Sequence, residues 1–157
     1  MPTTFLRTTL FFESVADGLG RDASSQLVLT LPLADQPLCG IAVEDIGKTA
    51  LGIFKRGREF IGETVSIAGD QMTGDGYAAA LAETLGEEVS YRPYSWDEYR
   101  ALGFPGAVDL GNMFQYYAEN SARFTADRDL DRVRELNPAL QSFRDWLALH
   151  KADIALP

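Results

Sequence analysis

Hydrophobic and β-branched residues fall in short blocks along the first third of the chain. Residues 3–12 read TTFLRTTLFF and residues 26–33 read QLVLTLPL. Both segments are typical of strands, the first running into a helix or a loop. The polar, glycine-containing stretch 17–25 between them predicts a loop. The same patterns predict further strands at 64–68 and 88–92.

The remaining segments place apolar residues at helical spacing. Predicted helices cover 44–56, 77–85, 95–103, 110–117, 129–136 and 142–151, and a turn is predicted at 70–76. Ser95 with Glu98, and Ser142 with Asp145, have the spacing of capping boxes, so they mark two helix starts. Gly86 should end the second helix. Strands followed by alternating elements and then helices alone predict an α/β fold with a helical C-terminal end.

Length, charge and cysteine content narrow the class of protein. The chain has 157 residues, the length of one domain, and a net charge of -9 from 23 acidic and 14 basic residues. This charge disfavours direct nucleic-acid binding, which needs a basic surface, and no apolar run predicts membrane insertion. The single cysteine, Cys39, lies among apolar neighbours. It predicts a buried, inert thiol and a reducing, cytoplasmic location.

Motifs for redox catalysis and metal binding are not found. Gly18-Leu19-Gly20 approaches a dinucleotide-binding glycine motif, but Ala23 stands where the third glycine would follow. None of the six tyrosines has a lysine four residues later, the pairing that makes tyrosine a proton donor in short-chain dehydrogenases. The only histidine, His150, lies far from Cys39. No catalytic residue and no metal ligand is therefore predicted.

Several segments together resemble one known family. Residues 43–47 read VEDIG, and residues 62–73 contain GETV followed by GD and MT. The most specific segment, 102–114, reads LGFPGAVDLGNMF. This run is similar to the NmrA-like family, atypical relatives of the short-chain dehydrogenase/reductases that include NADP-sensing redox regulators.

The resemblance implies an organisation for the chain. It corresponds to the C-terminal part of an NAD(P)-binding Rossmann protein of this family. Residues 1–33 would supply terminal strands of the Rossmann sheet and a loop, and residues 38–157 a smaller, mostly helical subdomain. The glycine-rich half that holds the dinucleotide is not in these 157 residues, so NADP(H) binding by this chain alone should be weak or absent.

The resemblance also implies cofactor-facing residues. In the family, an aromatic-Glu-Asn segment lies near the nicotinamide end of the cofactor. This segment corresponds to Phe11, Phe12, Glu13 and Ser14, with serine in place of the usual asparagine. Thr9 also stands where proline is common. Core packing is an equally good interpretation of the two phenylalanines.

A second candidate region carries the most specific motif. In the family this region faces a cleft between subdomains, which implies ligand-cleft roles for Phe104, Pro105, Gly106 and Met113. The alternative interpretation of Phe104-Pro105-Gly106 is a rigid turn between two helices, because proline fixes φ and glycine allows a positive φ.

Three functions remain open at this point. The first is a non-catalytic NADP(H)-linked regulatory or sensor-type binding protein, and the second is part of an NAD(P)H-dependent oxidoreductase acting on a quinone-like or other small molecule. The third is a folded remnant with no retained activity. We also expect a protein partner or a homo-oligomer, because the strands in 4–10 and 26–31 should expose unpaired edges.

Overall fold

The computed structural model describes residues 1–157 and confirms the α/β fold. The strands are β1 (Phe5–Arg7), β2 (Leu10–Phe11), β3 (Leu19–Arg21), β4 (Leu27–Leu29), β5 (Leu38–Ile41), β6 (Thr64–Ser66), β7 (Asp70–Met72) and β8 (Val89–Tyr91). The helices are α1 (Phe12–Val15), α2 (Val43–Lys55), α3 (Gly74–Leu85), α4 (Trp96–Arg100), α5 (Ala107–Glu119), α6 (Ser121–Ala126), α7 (Leu130–Leu136) and α8 (Phe143–His150). Strands dominate the first half, and helices alone follow β8.

The strands form three small sheets. β1 pairs with β6 in parallel. In the second sheet, β5 lies between β2, its parallel partner, and β7, its antiparallel partner. In the third sheet, β4 lies between β3, its antiparallel partner, and β8, its parallel partner. Residues 1–33 therefore share all three sheets with residues 38–157.

The expected open edges are found on one of the two predicted strand segments only. β4, within the predicted segment 26–31, is a central strand with partners on both sides, so the expectation of an unpaired edge there was wrong. The segment 4–10 divides into β1 and β2, and each is an edge strand of its sheet. The side chain of Phe5 on β1 is 63% exposed.

The stretch 17–25, predicted to be a loop, contains a strand. β3 forms a hairpin with β4, and the turn between them is closed by the Asp22 carboxylate, which accepts hydrogen bonds from the main-chain N–H groups of Ser24 and Gln26. Polar turn residues therefore dominate the composition of this stretch and conceal the short strand beside them.

The predicted turn at 70–76 is also partly wrong. β7 occupies its first half because Asp70–Met72 pair with β5, and α3 begins at Gly74. Thr73 caps this helix, since its Oγ1 accepts a hydrogen bond from the Gly76 N–H. The end of α3 is as predicted, because Gly86 takes a left-handed conformation with φ of 75°.

Two hydrophobic clusters stabilise the fold. The larger joins β4 and β8 to α3 and α8 and has aromatic residues at its centre, among them Tyr77, Phe143 and Trp146. The smaller lies between the β1–β6 sheet, α2 and α7 and includes Ile53 and Val133. None of the helices combines the length and the apolar character needed to cross a bilayer.

Candidate ligand-binding cavity

A large cavity lies where β2 meets α1, next to the β3–β4 hairpin and the α4–α5 helix pair. Its volume is about 750 Å³, which is in the range of small-molecule and cofactor sites. Most of its lining is apolar or aromatic. The lining residues are Thr9, Leu10, Phe11, Ser14, Asp17, Gly18, Leu19, Gly20, Arg21, Val28, Thr30, Leu31, Tyr94, Tyr99, Leu102, Phe104, Leu110, Met113, Phe114 and Tyr117.

This cavity brings together members of both predicted site segments. Phe11 and Ser14 line one wall, and Phe104 and Met113 line the opposite wall, although about ninety residues separate the two pairs in sequence. The side chains of Phe11 and Phe104 are each 38% exposed, so both can contact a bound molecule.

Phe12 does not line the cavity. Its side chain is fully buried, with ring centroids 5.2 Å from Phe143 and 6.1 Å from Trp146. The chain turns from β2 into α1 between Phe11 and Phe12. The two adjacent aromatic rings therefore face different environments, one the cavity and the other the core.

Glu13 also points away from the cavity. Its carboxylate accepts a hydrogen bond from the main-chain N–H of Val43, with distances of 3.1 and 3.3 Å to the two oxygens. Val43 is the first residue of α2, and Ala42 before it has no capping side chain. Glu13 thus supplies the negative charge and the acceptor that the start of this helix requires.

Pro105 and Gly106 form the turn between α4 and α5 and do not line the cavity. Gly106 has φ of 90° and Gly103 has φ of 74°, both in the left-handed region that glycine tolerates. This turn sets the angle at which α5 leaves, and it leaves Phe104 directed toward the cavity.

One arginine links α4 to α5 through hydrogen bonds. Arg100 donates from Nε to the Asn112 side chain at 2.9 Å, from one terminal nitrogen to Asp97 at 2.8 Å, and from the other to Gln115. On the cavity side of the pair, the ring of Tyr99 makes edge-to-face contacts with Phe104 and Phe114, both at 5.6 Å. The aromatic wall is therefore held in place by packing before any ligand binds.

Thr9, which departs from the usual proline, has a structural role beside this wall. Its hydroxyl donates a hydrogen bond of 2.7 Å to the main-chain oxygen of Cys39, and its side chain is buried. A proline could not make this bond, so the threonine side chain links the β2 segment to β5.

The electrostatics of the cavity are simple. Asp17 and Arg21 are its only charged lining residues. Arg21 forms an ion pair with Glu87, with 2.6 Å between a terminal guanidinium nitrogen and the Glu87 Oε1. The Asp17 carboxylate is exposed and forms no ion pair. Burial raises the pKa of Tyr99, with a smaller contribution from Asp17, and burial also raises the pKa of Tyr117. Both phenols therefore stay neutral at physiological pH.

Sequence reasoning did not assign several of the lining residues to a site. Leu110, Phe114 and Tyr117 fit the apolar face of a helix equally well, and Tyr99 carries no motif. The available signal was the clustering of aromatic residues between 94 and 117.

A comparison with protein families shows which family the chain belongs to. The model of the NmrA-like family matches residues 1–147. The chain belongs to the NmrA-like family. The resemblance carried by residues 102–114 is thereby confirmed.

Individual relatives of this NmrA-like chain are more distant. The rat NmrA-like family domain-containing protein 1 is 42% identical over 59 residues, which cover 38% of this chain and 33% of that protein. The structure of NmrA, a negative transcriptional regulator in complex with NAD, has a TM-score of 0.74 at 16% identity, covering 100% of this chain and 56% of that one. Triphenylmethane reductase from Citrobacter sp., complexed with NADP(H), has a TM-score of 0.69 at 16% identity, covering 94% and 53%. The chain thus spans about half the length of these solved structures.

The residues of this NmrA-like chain fit one part of a dinucleotide and not another. The apolar wall around Phe11 and Phe104 suits a flat ring such as nicotinamide. The Gly18–Gly20 segment does not suit a pyrophosphate, because Gly20 lies in a hairpin strand and no helix begins there. A Cβ at Gly18 would lie 2.5 Å from the Leu31 side chain, so this glycine is required by packing.

Proposed function

We propose that this protein is an NADP(H)-linked binding protein of the regulatory or sensor type, and that the cavity receives its ligand. The chain would supply the wall that faces the nicotinamide ring. The pyrophosphate would have to be held by residues outside these 157, because phosphate binding of this type needs a glycine-rich turn at a helix N-terminus.

The observation that carries the proposal is the meeting of Phe11 and Ser14 with Phe104 and Met113 around one cavity of about 750 Å³. Two segments that resemble cofactor and cleft regions of the family lie face to face. The NmrA structure, which has the same fold, is described as a negative transcriptional regulator in complex with NAD.

The cavity tyrosines are poorly suited to act as proton donors. A tyrosine that donates a proton at neutral pH needs a lowered pKa, commonly from a nearby lysine. Burial acts in the opposite direction on Tyr99 and Tyr117. The one cation at the cavity, Arg21, is already paired with Glu87.

An oxidoreductase is the alternative function. The Citrobacter structure of similar fold is a reductase complexed with NADP(H), and an aromatic cavity of this size accepts a quinone-like or other flat molecule. In that case the cavity would hold the acceptor beside the nicotinamide ring, and hydride transfer would need no side chain with a shifted pKa.

A titration with reduced nicotinamide mononucleotide, followed by two-dimensional amide NMR, tests the proposal. We expect saturable shifts in 11–14 and 102–117, with an affinity on the order of millimolar because the ligand is small and lacks most of the dinucleotide's contacts. Phe104→Ala should weaken binding, and Phe54→Ala, which truncates a 78% exposed phenylalanine outside the cavity, should not.

Two outcomes contradict the proposal. Absence of shifts in both cavity segments would support a remnant without a retained site. Steady consumption of NADPH by the chain in the presence of a quinone or a triphenylmethane dye would support the oxidoreductase alternative.

A regulatory role also requires a partner. We propose either a second copy of the chain or another protein, engaged at the free edge of β1. This edge exposes Phe5 and unpaired main-chain groups, which are the features that promote strand addition.

A further inference from the structure

A second cavity, with opposite chemistry, lies on the other side of the Thr8–Thr9 segment. It has a volume of about 300 Å³ and is bounded by the end of β1, the last turn of α5 and α6. Three arginines line it, namely Arg7, Arg123 and Arg128, and we call it the arginine cavity.

The charge of the arginine cavity is strongly positive for this protein. One carboxylate, Asp127, faces the three guanidinium groups. Its Oδ2 lies 3.7 Å from Arg7 and 3.9 Å from Arg123, so both ion pairs are long. An excess of two positive charges therefore collects in a chain whose net charge is -9.

Arg128 lies buried at the bottom of this cavity. Its side chain donates to the main-chain oxygens of Phe124 at 3.0 Å and Thr8 at 2.9 Å, and its guanidinium lies 3.5 Å from the centre of the Phe124 ring. The residue is only 5% exposed, and its Nε has no hydrogen-bond partner.

No carboxylate forms an ion pair with Arg128. A buried cation without a counter-ion is costly, and an anion placed beside it offsets that cost. The cation–π contact with Phe124 offsets only part of the cost of burying this charge, because such contacts are modest in strength. A positive charge without a counter-ion therefore lies buried beside the cavity.

We infer that the arginine cavity binds a phosphate group. Three guanidinium groups bring charge-assisted donors to one cavity, and two excess positive charges match a phosphate dianion. Arg7 also donates from Nε and from one terminal nitrogen to the Ser66 hydroxyl, which holds its guanidinium beside the cavity. The volume leaves room for a small organic substituent on the phosphate beside the Tyr116 ring. This site is separate from the apolar cavity and does not depend on its proposed role.

Calorimetric titration of the chain with inorganic phosphate tests the inference, with sodium chloride at equal ionic strength as the reference. We expect saturable binding that Arg123→Gln weakens about tenfold, because one charge-assisted contact is lost. Arg58→Gln removes an exposed arginine outside the cavity and should leave the affinity unchanged.

Asp127 provides a second test, in which a substitution should raise the affinity for phosphate. Asp127→Asn removes the competing negative charge beside Arg7 and Arg123, so phosphate should bind more tightly. Glu88→Gln, an exposed loss of the same charge, is its control. Thermal unfolding with and without phosphate should show a rise in Tm that is larger in Asp127→Asn, since a ligand that binds only the folded state stabilises it.

Phenyl phosphate distinguishes the source of the phosphate. Tighter binding than that of inorganic phosphate would indicate a phosphorylated organic ligand, and equal binding would indicate recognition of the phosphate alone. Both results support the site. Absence of saturable binding, an affinity unchanged by Arg123→Gln, or weaker binding in Asp127→Asn would overturn it.

Discussion

Two glycines of one helix should respond differently to the same substitution. Gly47 and Gly52 both lie inside α2, which spans Val43–Lys55. A Cβ at Gly47 would meet no atom within 4 Å. A Cβ at Gly52 would lie 2.1 Å from the main-chain oxygen of Leu136 and 2.8 Å from its carbonyl carbon, because α2 crosses α7 at this point.

The magnitude follows from two effects. Replacing glycine by alanine inside a helix contributes about 1 kcal/mol of stability through helix propensity. At Gly52 the contact must lengthen to about 3.3 Å, so α2 must move roughly 1 Å away from α7. Such overpacking costs about 1–3 kcal/mol. The propensity gain is common to both variants, so the free energies of unfolding of Gly47→Ala and Gly52→Ala should differ by about 1–3 kcal/mol.

Thermal unfolding followed by circular dichroism measures this difference. For a chain of this size, 1 kcal/mol corresponds to roughly 2–4 °C in Tm. Gly47→Ala should unfold above the parent protein, and Gly52→Ala should unfold below Gly47→Ala by at least that amount. Equal Tm values for the two variants would refute the close approach of α2 to α7.

Three further predictions concern burial and association. Burial raises the pKa of Cys39 from 9.0 to about 11, so the folded state favours the neutral thiol. The free energy of unfolding should therefore fall by about 2–3 kcal/mol as pH rises from 9.0 to 11. Urea denaturation of the parent protein and of Cys39→Ala across this range checks the prediction, and an equal dependence of unfolding free energy on pH in the two proteins would contradict it. Asp45→Ala should destabilise the fold by about 3 kcal/mol or more in urea denaturation, because the fully buried carboxylate accepts hydrogen bonds from the Asn137 side chain and the Gln141 N–H, and both would lose their partner. A loss below about 1 kcal/mol, the value of an exposed polar contact, would contradict this prediction. Sedimentation should show concentration-dependent self-association through β1 that Phe5→Lys reduces, and a stable monomer of the parent chain at high concentration would contradict it.

Local signals in the sequence were sufficient for several elements. The capping boxes at Ser95 and Ser142 are both present, and each serine side chain accepts a hydrogen bond from the main-chain N–H three residues later. Gly86 ends α3 as its position indicates. These features depend on contacts within one helical turn, which a single sequence displays directly.

Elements defined by pairing with distant strands were harder to predict. β7 is a strand because Asp70–Met72 pair with β5, about thirty residues earlier, and its composition alone resembles a turn. α6 was not predicted because its sequence, SARFTA, is too short for a helical period to show.

The candidate site was predictable in its parts and not in its assembly. The family motif pointed to Phe11 and Phe104, yet nothing local showed that they would line the same cavity. The contrast between Phe11 and Phe12 is a similar case. The chain changes from strand to helix between these two residues. Neither the two-residue repeat of a strand nor the 3.6-residue repeat of a helix therefore predicts which ring faces the core.

The most direct test of the account is calorimetric titration of the chain with NADPH. In the proposed function the chain contributes the apolar wall for the nicotinamide ring, and its Gly18–Gly20 segment does not form a phosphate-binding turn. The account therefore predicts an affinity on the order of millimolar or weaker, too weak for a saturable heat at micromolar NADPH. Saturable binding at micromolar NADPH would contradict it, because these 157 residues would then hold the whole cofactor.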